Sequence, residues 1–255
     1  MGVINVTPDS FSDGGVHLQV EAAVTSAWGM LDKGAAVVDV GGESTRPGSD
    51  GVSVEEELRR VEPVLVDLGG APCSVDTSKA AVARRALELG VELVNDVTAL
   101  RGDREMAETV AASGCYVCLM HMQGEPRTMQ VAPAYDDVVS DVKRFLEERL
   151  SFAVSAGIRE ELICLDPGIG FGKTAAHNFE LVRRLPELAA LGRPILIGLS
   201  RKSSLGALTG SATGSAAASI GAAVAAYQRG ASIIRAHDVR GHVEALAAAR
   251  AVDAP

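Results

Sequence analysis

Short apolar runs and longer amphipathic stretches alternate along the whole chain. The apolar runs cover 1–5, 35–40, 73–76, 93–97, 116–122, 162–165, 195–199 and 233–237. Runs of this length, bounded by Gly, Pro and polar residues, read as buried strands. Between them, apolar positions recur at helical spacing over 18–32, 53–68, 79–89, 104–112, 135–156, 176–191, 215–229 and 239–251. The stop signals agree, since Gly34, Gly90, Gly114 and Gly157 each follow such a stretch. Ser53 with Glu56 three residues on has the form of a capping box.

Eight strand–helix units result, with no shift of composition that would mark a linker, so residues 1–255 read as one domain. Strict alternation with near-continuous apolar strands implies a parallel sheet covered on both faces. Eight units in 255 residues favour a closed (β/α)8 TIM barrel, which takes roughly 250 residues. Asn5, Asp76, Asn95, Asp166, Lys202 and His237 stand at or just past strand ends, the rim on which such a barrel builds its site. The chain starts inside the first apolar run, so an abbreviated first strand is expected.

Charge narrows the partners. A net charge of −9 argues against nucleic acid or a membrane surface, and an anionic ligand would then need a local cluster of Arg and Lys. No apolar run approaches the roughly 18 residues of a membrane span, and no signal-peptide pattern opens the chain. Cys73, Cys115, Cys118 and Cys164 each lie in an apolar, strand-like run. Cys115 and Cys118 have C-x-x-C spacing, but an offset of three on a strand turns side chains to opposite faces. They read as small core residues of a cytoplasmic, reducing environment.

The densest chemistry lies in Leu165-Asp-Pro-Gly-Ile-Gly-Phe-Gly-Lys-Thr174. A strand delivers Asp166 at its carboxyl end and leaves through a loop that glycine shapes. A Walker phosphate loop would need glycine where Pro167 stands, and glycines at 168, 170 and 172 miss the dinucleotide spacing. The stretch therefore offers an acid, an aromatic ring and close-approach backbone to something other than a nucleotide pyrophosphate.

Further rim segments join it: Gly2-Val-Ile-Asn-Val-Thr-Pro-Asp-Ser-Phe-Ser-Asp-Gly-Gly15, Asp39-Val-Gly-Gly-Glu-Ser-Thr-Arg-Pro-Gly48, Ser74-Val-Asp-Thr77, Asn95-Asp-Val97, Leu119-Met-His-Met-Gln-Gly124, His177-Asn178, Gly198-Leu-Ser-Arg-Lys-Ser203 and Arg235-Ala-His-Asp-Val239. In this order and spacing the chain closely resembles the dihydropteroate synthases, pterin-binding barrels of folate biosynthesis, from residue 1 to about 251. The resemblance implies that 4-aminobenzoate attacks the methylene carbon of (7,8-dihydropterin-6-yl)methyl diphosphate. The products are 7,8-dihydropteroate and diphosphate, with Mg2+ on the diphosphate.

The residues suit those substrates. A dihydropterin is a flat ring edged with amide-like donors and acceptors, which fixed carboxylates and carboxamides under an apolar face can recognise. Asp76, Asn95 and Asp166 are candidates for the edge, with Met120 and Phe171 for the faces; the plainer reading of Asp76 and Asn95 is that they cap the next helix. By resemblance, Arg235 and His237, expected on one face of strand eight, bind the diphosphate, and Asn5 helps hold Mg2+. The resemblance also implies that Gly198, Lys202 and Ser203 contact substrate, with Lys202 reaching both pterin and aminobenzoate and Ser203 approaching the benzoate carboxylate.

Loops one and two, with Phe11 and Asp13 and with Thr45, Arg46 and Pro47, are expected to close over substrate. If the bond to diphosphate breaks first, Asp13 would stabilise a cationic pterin methylene while Arg46 and Phe11 shape the aminobenzoate pocket. His17 and His242 read as surface residues, and Glu56-Glu57 with Arg59-Arg60 as a solvated helix face. Small side chains over 216–226 and 244–251 suggest a homodimer, as the family forms. The alternatives are a catalytically silent pterin-binding paralogue and a pterin-dependent methyltransferase. The latter shares the acidic edge but does not require Ser-Arg-Lys-Ser or Arg-x-His.

Overall fold

A computed structural model describes residues 1–7, 16–46 and 48–253. Phe11, Asp13 and Pro47 lie outside the described residues. The strands are β1 (Gly2–Asn5), β2 (Val38–Gly41), β3 (Cys73–Asp76), β4 (Leu93–Asp96), β5 (Tyr116–Met120), β6 (Ile163–Asp166), β7 (Ile195–Ile197) and β8 (Ala231–Ile234). They form one eight-stranded sheet in chain order, every neighbouring pair parallel. The sheet curls so that its ends meet: Gly2 pairs in parallel with Ala236, the Met1 amino group donates to the Ile234 carbonyl, and the Ala236 N–H donates to the Met1 carbonyl. This is the TIM barrel that the alternation predicts, with a short, four-residue β1.

The helices are α1 (Val16–Asp32), α2 (Val54–Leu68), α3 (Ala80–Glu88), α4 (Met106–Ser113), α5 (Val138–Ser155), α6 (Ala175–Arg183), α7 (Leu185–Ala189), α8 (Ser203–Thr209), α9 (Ala216–Tyr227) and α10 (Val239–Asp253). Ser53 accepts from the Glu56 N–H at the start of α2, and Asp137 does the same for Ser140 at the start of α5. The single helix expected over 176–191 is two: α6 stops at Arg184, and Pro186, which has no N–H to continue the ladder, opens α7. No helix of the described residues is long and apolar enough to cross a membrane.

β2, β3, β6 and β7 are buried along their whole length and β4 and β5 nearly so, which is why they read as continuous apolar runs, whereas β8 is only partly covered. Leu119, Ile163, Leu165 and Ile195 are fully buried in the main core. Cys118 and Cys164 pair across β5 and β6 and pack with Leu196 in a separate cluster, whereas Cys115 lies in the main core. All four cysteines are buried and free.

Candidate active site

Asp39, in the middle of β2, is fully buried and organises one side of the barrel mouth. Strand register sets Ser74 beside it and Asn95 beside Asp76. Ser74 Oγ donates to Asp39 Oδ1 at 2.6 Å, while Asn95 Nδ2 and Arg235 Nε donate to Oδ2 at 3.0 and 2.7 Å. Arg235 Nη2 then reaches Asp76 Oδ2 at 2.9 Å. The other Asp76 oxygen, Oδ1, is buried with no partner among the described residues. Burial, and the nearby carboxylates of Asp39 and Glu57, push the Asp76 carboxyl well above its ordinary pKa against the pull of Arg235. Neither Asp76 nor Asn95 caps a helix: the N-cap position of α3 is Lys79, without a side-chain cap, and Asp103 accepts the Ala80 N–H. Arg235 and His237 are not on β8, which ends at Ile234; they follow it, with the Arg235 N–H still donating to the Ile197 carbonyl. No role was read for Asp39 in the sequence, although a carboxylate inside an apolar run is costly unless paired and was the available signal.

Asp96 shapes the turn after β4. Its carboxylate accepts from the Thr98 N–H, the Thr98 hydroxyl and the Leu100 N–H, at 2.8, 2.7 and 2.8 Å. Ala99 and Leu100 both take left-handed backbone (φ 52° and 63°), a strained state for residues with a Cβ. Arg149 Nε adds a bond to the Ala99 carbonyl at 2.8 Å. The turn thus fixes the chain immediately after Asn95.

Across the mouth, Asp166 ends β6 and accepts from the Gly168 N–H at 2.7 Å. Burial raises its pKa to about 6, opposed by that bond and by Lys202, Lys173 and Arg235. Gly168 and Gly172 have φ of 67° and 65°, and a Cβ on either would run into the carbonyl oxygen of His121 or Gln123. Only glycine permits both the conformation and the contact. The loop turns Phe171 onto Met120, Val97, Met122 and Met129, an apolar face beside two acidic groups. Lys202 Nζ sits 4.6 Å from the centre of the Phe171 ring, with its pKa lowered to about 8 by burial and Arg235 against the pull of Asp166 and Asp76.

A cationic region adjoins this face. His237 is half-buried, its Nδ1 3.1 Å from Ser200 Oγ. Burial first, then Arg201, Arg235, Lys202 and Arg46, push its pKa down to about 4. Arg201, another residue without a sequence-based role, has left-handed backbone (φ 57°), and its N–H donates to Ser219 Oγ at 3.1 Å. Thr45 is half-buried and Arg46 exposed in the loop after β2, whose Glu43 accepts from Val52 N–H and pairs with Lys79. Asn5 is half-buried at the carboxyl end of β1, and Ser203 is exposed at the start of α8. Among the described residues, no three His, Cys, Asp or Glu side chains group to hold a metal.

Residues 1–237 match the family described as pterin binding enzymes. A dihydropteroate synthase from Neisseria meningitidis serogroup C is 48% identical over 255 residues, covering 97% of this chain and 90% of its own. The chain belongs to this family. Among solved dihydropteroate synthases, that of Xanthomonas albilineans with 4-aminobenzoic acid superposes with a TM-score of 0.92 at 48% identity, covering 100% of this chain and 93% of its own. The structure from the same organism with 7,8-dihydropteroate gives 0.90 at 46% identity, again covering 100% and 93%.

Asp76 and Asn95 converge with Arg235 on one side of the mouth, and Met120, Asp166, Phe171 and Lys202 gather on the other. Gly198 lies behind Arg235, where a Cβ would stand 3.9 Å from the arginine Cβ. Two expectations outside the site are corrected. Glu57 is fully buried and pairs with Lys79 rather than forming a solvated face, because α2 turns it inward beneath Gly42. His242 is buried rather than superficial, with Nδ1 2.6 Å from the Asp238 carbonyl.

Proposed function

We propose that the barrel mouth binds a dihydropterin diphosphate and 4-aminobenzoate and joins them, as a dihydropteroate synthase. The amine nitrogen attacks the pterin methylene carbon, the carbon–oxygen bond to diphosphate breaks, and the amine gives up a proton. The observation that carries this reading is Asp76 Oδ1, a buried acceptor without a donor among the described residues. It stands beside Asn95 and opposite Asp166 on a rim faced by Phe171 and Met120. A pterin edge supplies ring N–H and amino donors for such carboxylates, and leaving the oxygen unmet costs about 1–3 kcal/mol.

In this reading Lys202, beside the Phe171 ring, serves both pterin and aminobenzoate, and Ser203 the benzoate carboxylate. The cations around His237 suit an anionic leaving group, and Arg46 with Thr45 borders the aminobenzoate. Phe11, Asp13 and Pro47 keep the parts expected from the sequence: Asp13 toward a cationic methylene, Phe11 with Arg46 around the aminobenzoate, and Pro47 in the loop that closes over substrate. Asn5 suits a Mg2+ ion, which takes few protein oxygens and completes its shell from phosphate and water. Bound there, Mg2+ would neutralise charge on the departing diphosphate. The small-residue helices α9 and α10 suit a homodimer, and the buried free cysteines a reducing cytoplasm; sedimentation at the mass of one chain would remove the dimer.

The test is diphosphate release from the purified protein given the pterin diphosphate and Mg2+, with and without 4-aminobenzoate. Amine-dependent release with dihydropteroate formed is expected. Tight pterin binding without product would instead favour the silent paralogue.

A further inference from the structure

Lys173 is a buried cation that the proposed reaction does not use. Only 3% of it is exposed, and it forms no ion pair with a carboxylate among the described residues. An ammonium carries three protons, and four acceptors surround this one: His121 Nδ1 at 2.9 Å, the Gly168 carbonyl at 2.9 Å, the Phe171 carbonyl at 3.0 Å and, more distant, the His121 carbonyl at 3.4 Å. His121 belongs to the turn after β5 and the two carbonyls to the turn after β6. One side chain therefore ties together the two turns that carry Met120, Asp166 and Phe171.

The rest of the glycine turn is held from its ends and rim. The Gly170 N–H donates to Asn178 Oδ1, Gln130 Nε2 reaches the Gly170 carbonyl, and the Tyr135 hydroxyl reaches the Gly172 carbonyl. Inside the turn the Phe171 N–H donates to the Gly168 carbonyl at 3.1 Å, and Lys173 adds its bonds to the Gly168 and Phe171 carbonyls. Glycines at left-handed φ give the turn its path but also its freedom when unbound, and an unpaired buried charge is costly to the fold. A methionine of similar length would fill the space without that charge. What the ammonium adds is a fixed place for Gly168, whose N–H orients the Asp166 carboxylate, and for Phe171, whose ring underlies Lys202.

We propose that Lys173 is a positioning residue for pterin recognition, its ammonium holding the 168–172 turn so that Asp166 and Phe171 meet the ring together. This rests on the pterin reading above. It differs from a role in stability alone, because the groups the ammonium holds are those that place Asp166 and Phe171, so its loss is read in pterin affinity and not only in the thermal midpoint.

The experiment compares the wild-type protein with Lys173→Met and Lys173→Gln. It measures calorimetric affinity for the dihydropterin diphosphate with Mg2+, KM and kcat for both substrates, and the thermal midpoint. In Lys173→Met, pterin Kd and KM should rise on the order of 10- to 100-fold, the cost of misplaced binding groups, while the midpoint reports separately the relief of the buried charge against the acceptors left without a donor. KM for 4-aminobenzoate should move less. The glutamine variant, with two amide donors, should recover part of the pterin affinity and carries the comparison alone if the methionine variant does not fold. A pterin Kd within about twofold of wild type in a folded variant overturns the proposal, as does a lowered midpoint without loss of affinity. Failure of the wild-type protein to bind the pterin would sink the pterin reading itself, and the proposal with it.

Discussion

On the β2–β3–β8 side of the barrel mouth Arg235 spans two carboxylates, whereas on the β5–β6 side Lys173 has only carbonyl oxygens and an imidazole around it. Both cations are desolvated, yet their proton affinities move in opposite directions. Asp39 and Asp76 outweigh burial and hold the guanidinium charged at any working pH. Burial lowers Lys173 to about 7, with Asp166 pulling it back and Lys202 adding to the fall. One side of the site thus has a permanent electrostatic strut and the other a conditional one.

The largest effect should come from Arg235→Met. It would leave the buried Asp39 with only Ser74 and Asn95 as partners, and breaking a buried pair from one end costs about 3–5 kcal/mol. Denaturant unfolding measures it. A loss below about 1 kcal/mol would place the pair with surface bridges and erase the contrast.

Next comes the pH dependence of Lys173. Its folded pKa of about 7 lies below the unfolded value of 10.5, so between them the unfolded chain binds more protons. Stability therefore rises with pH across that window, and the burden of burying the charge is fully present below its lower edge. Lys173→Met should gain on wild type most at pH 6 and least near pH 10.5, a change bounded by about 5 kcal/mol. Parallel stability curves would show that Lys173 titrates normally. The smallest effect should be Tyr135→Phe, which removes one bond to the Gly172 carbonyl and costs about 1 kcal/mol. A larger loss by thermal unfolding would mean that the turn hangs on its rim rather than on Lys173.

The barrel was legible because strands buried on both faces must be continuously apolar, and the rim because polar residues break those runs only at their ends. Asp76, Asn95 and Asp166 were found that way. Asp39 passed without a role because its partner Arg235 lies 196 residues away, and no local spacing reports such a pair. Lys173 looked like part of a phosphate loop that failed, since its burial depends on the β5 turn folding over it. Glu57 and His242 were misread as surface residues for a related reason: their helices are polar nearby, and only tertiary contacts turn these side chains inward. The break between α6 and α7 was signalled by Pro186 but hidden by apolar spacing that continues across it.

The seam between Met1 and 234–236 joins residues 233 apart, and Arg235 reaches back across it to Asp39 and Asp76. Contacts of such separation pay the greatest loop-closure entropy and are expected to form late in folding. The charge network of the barrel mouth would then be assembled in the step that closes the barrel, so completion of the mouth and the end of folding coincide. For Arg235→Met this means faster unfolding with a nearly unchanged folding rate, which stopped-flow chevrons can read. A slowed folding limb would place the network in the nucleus instead.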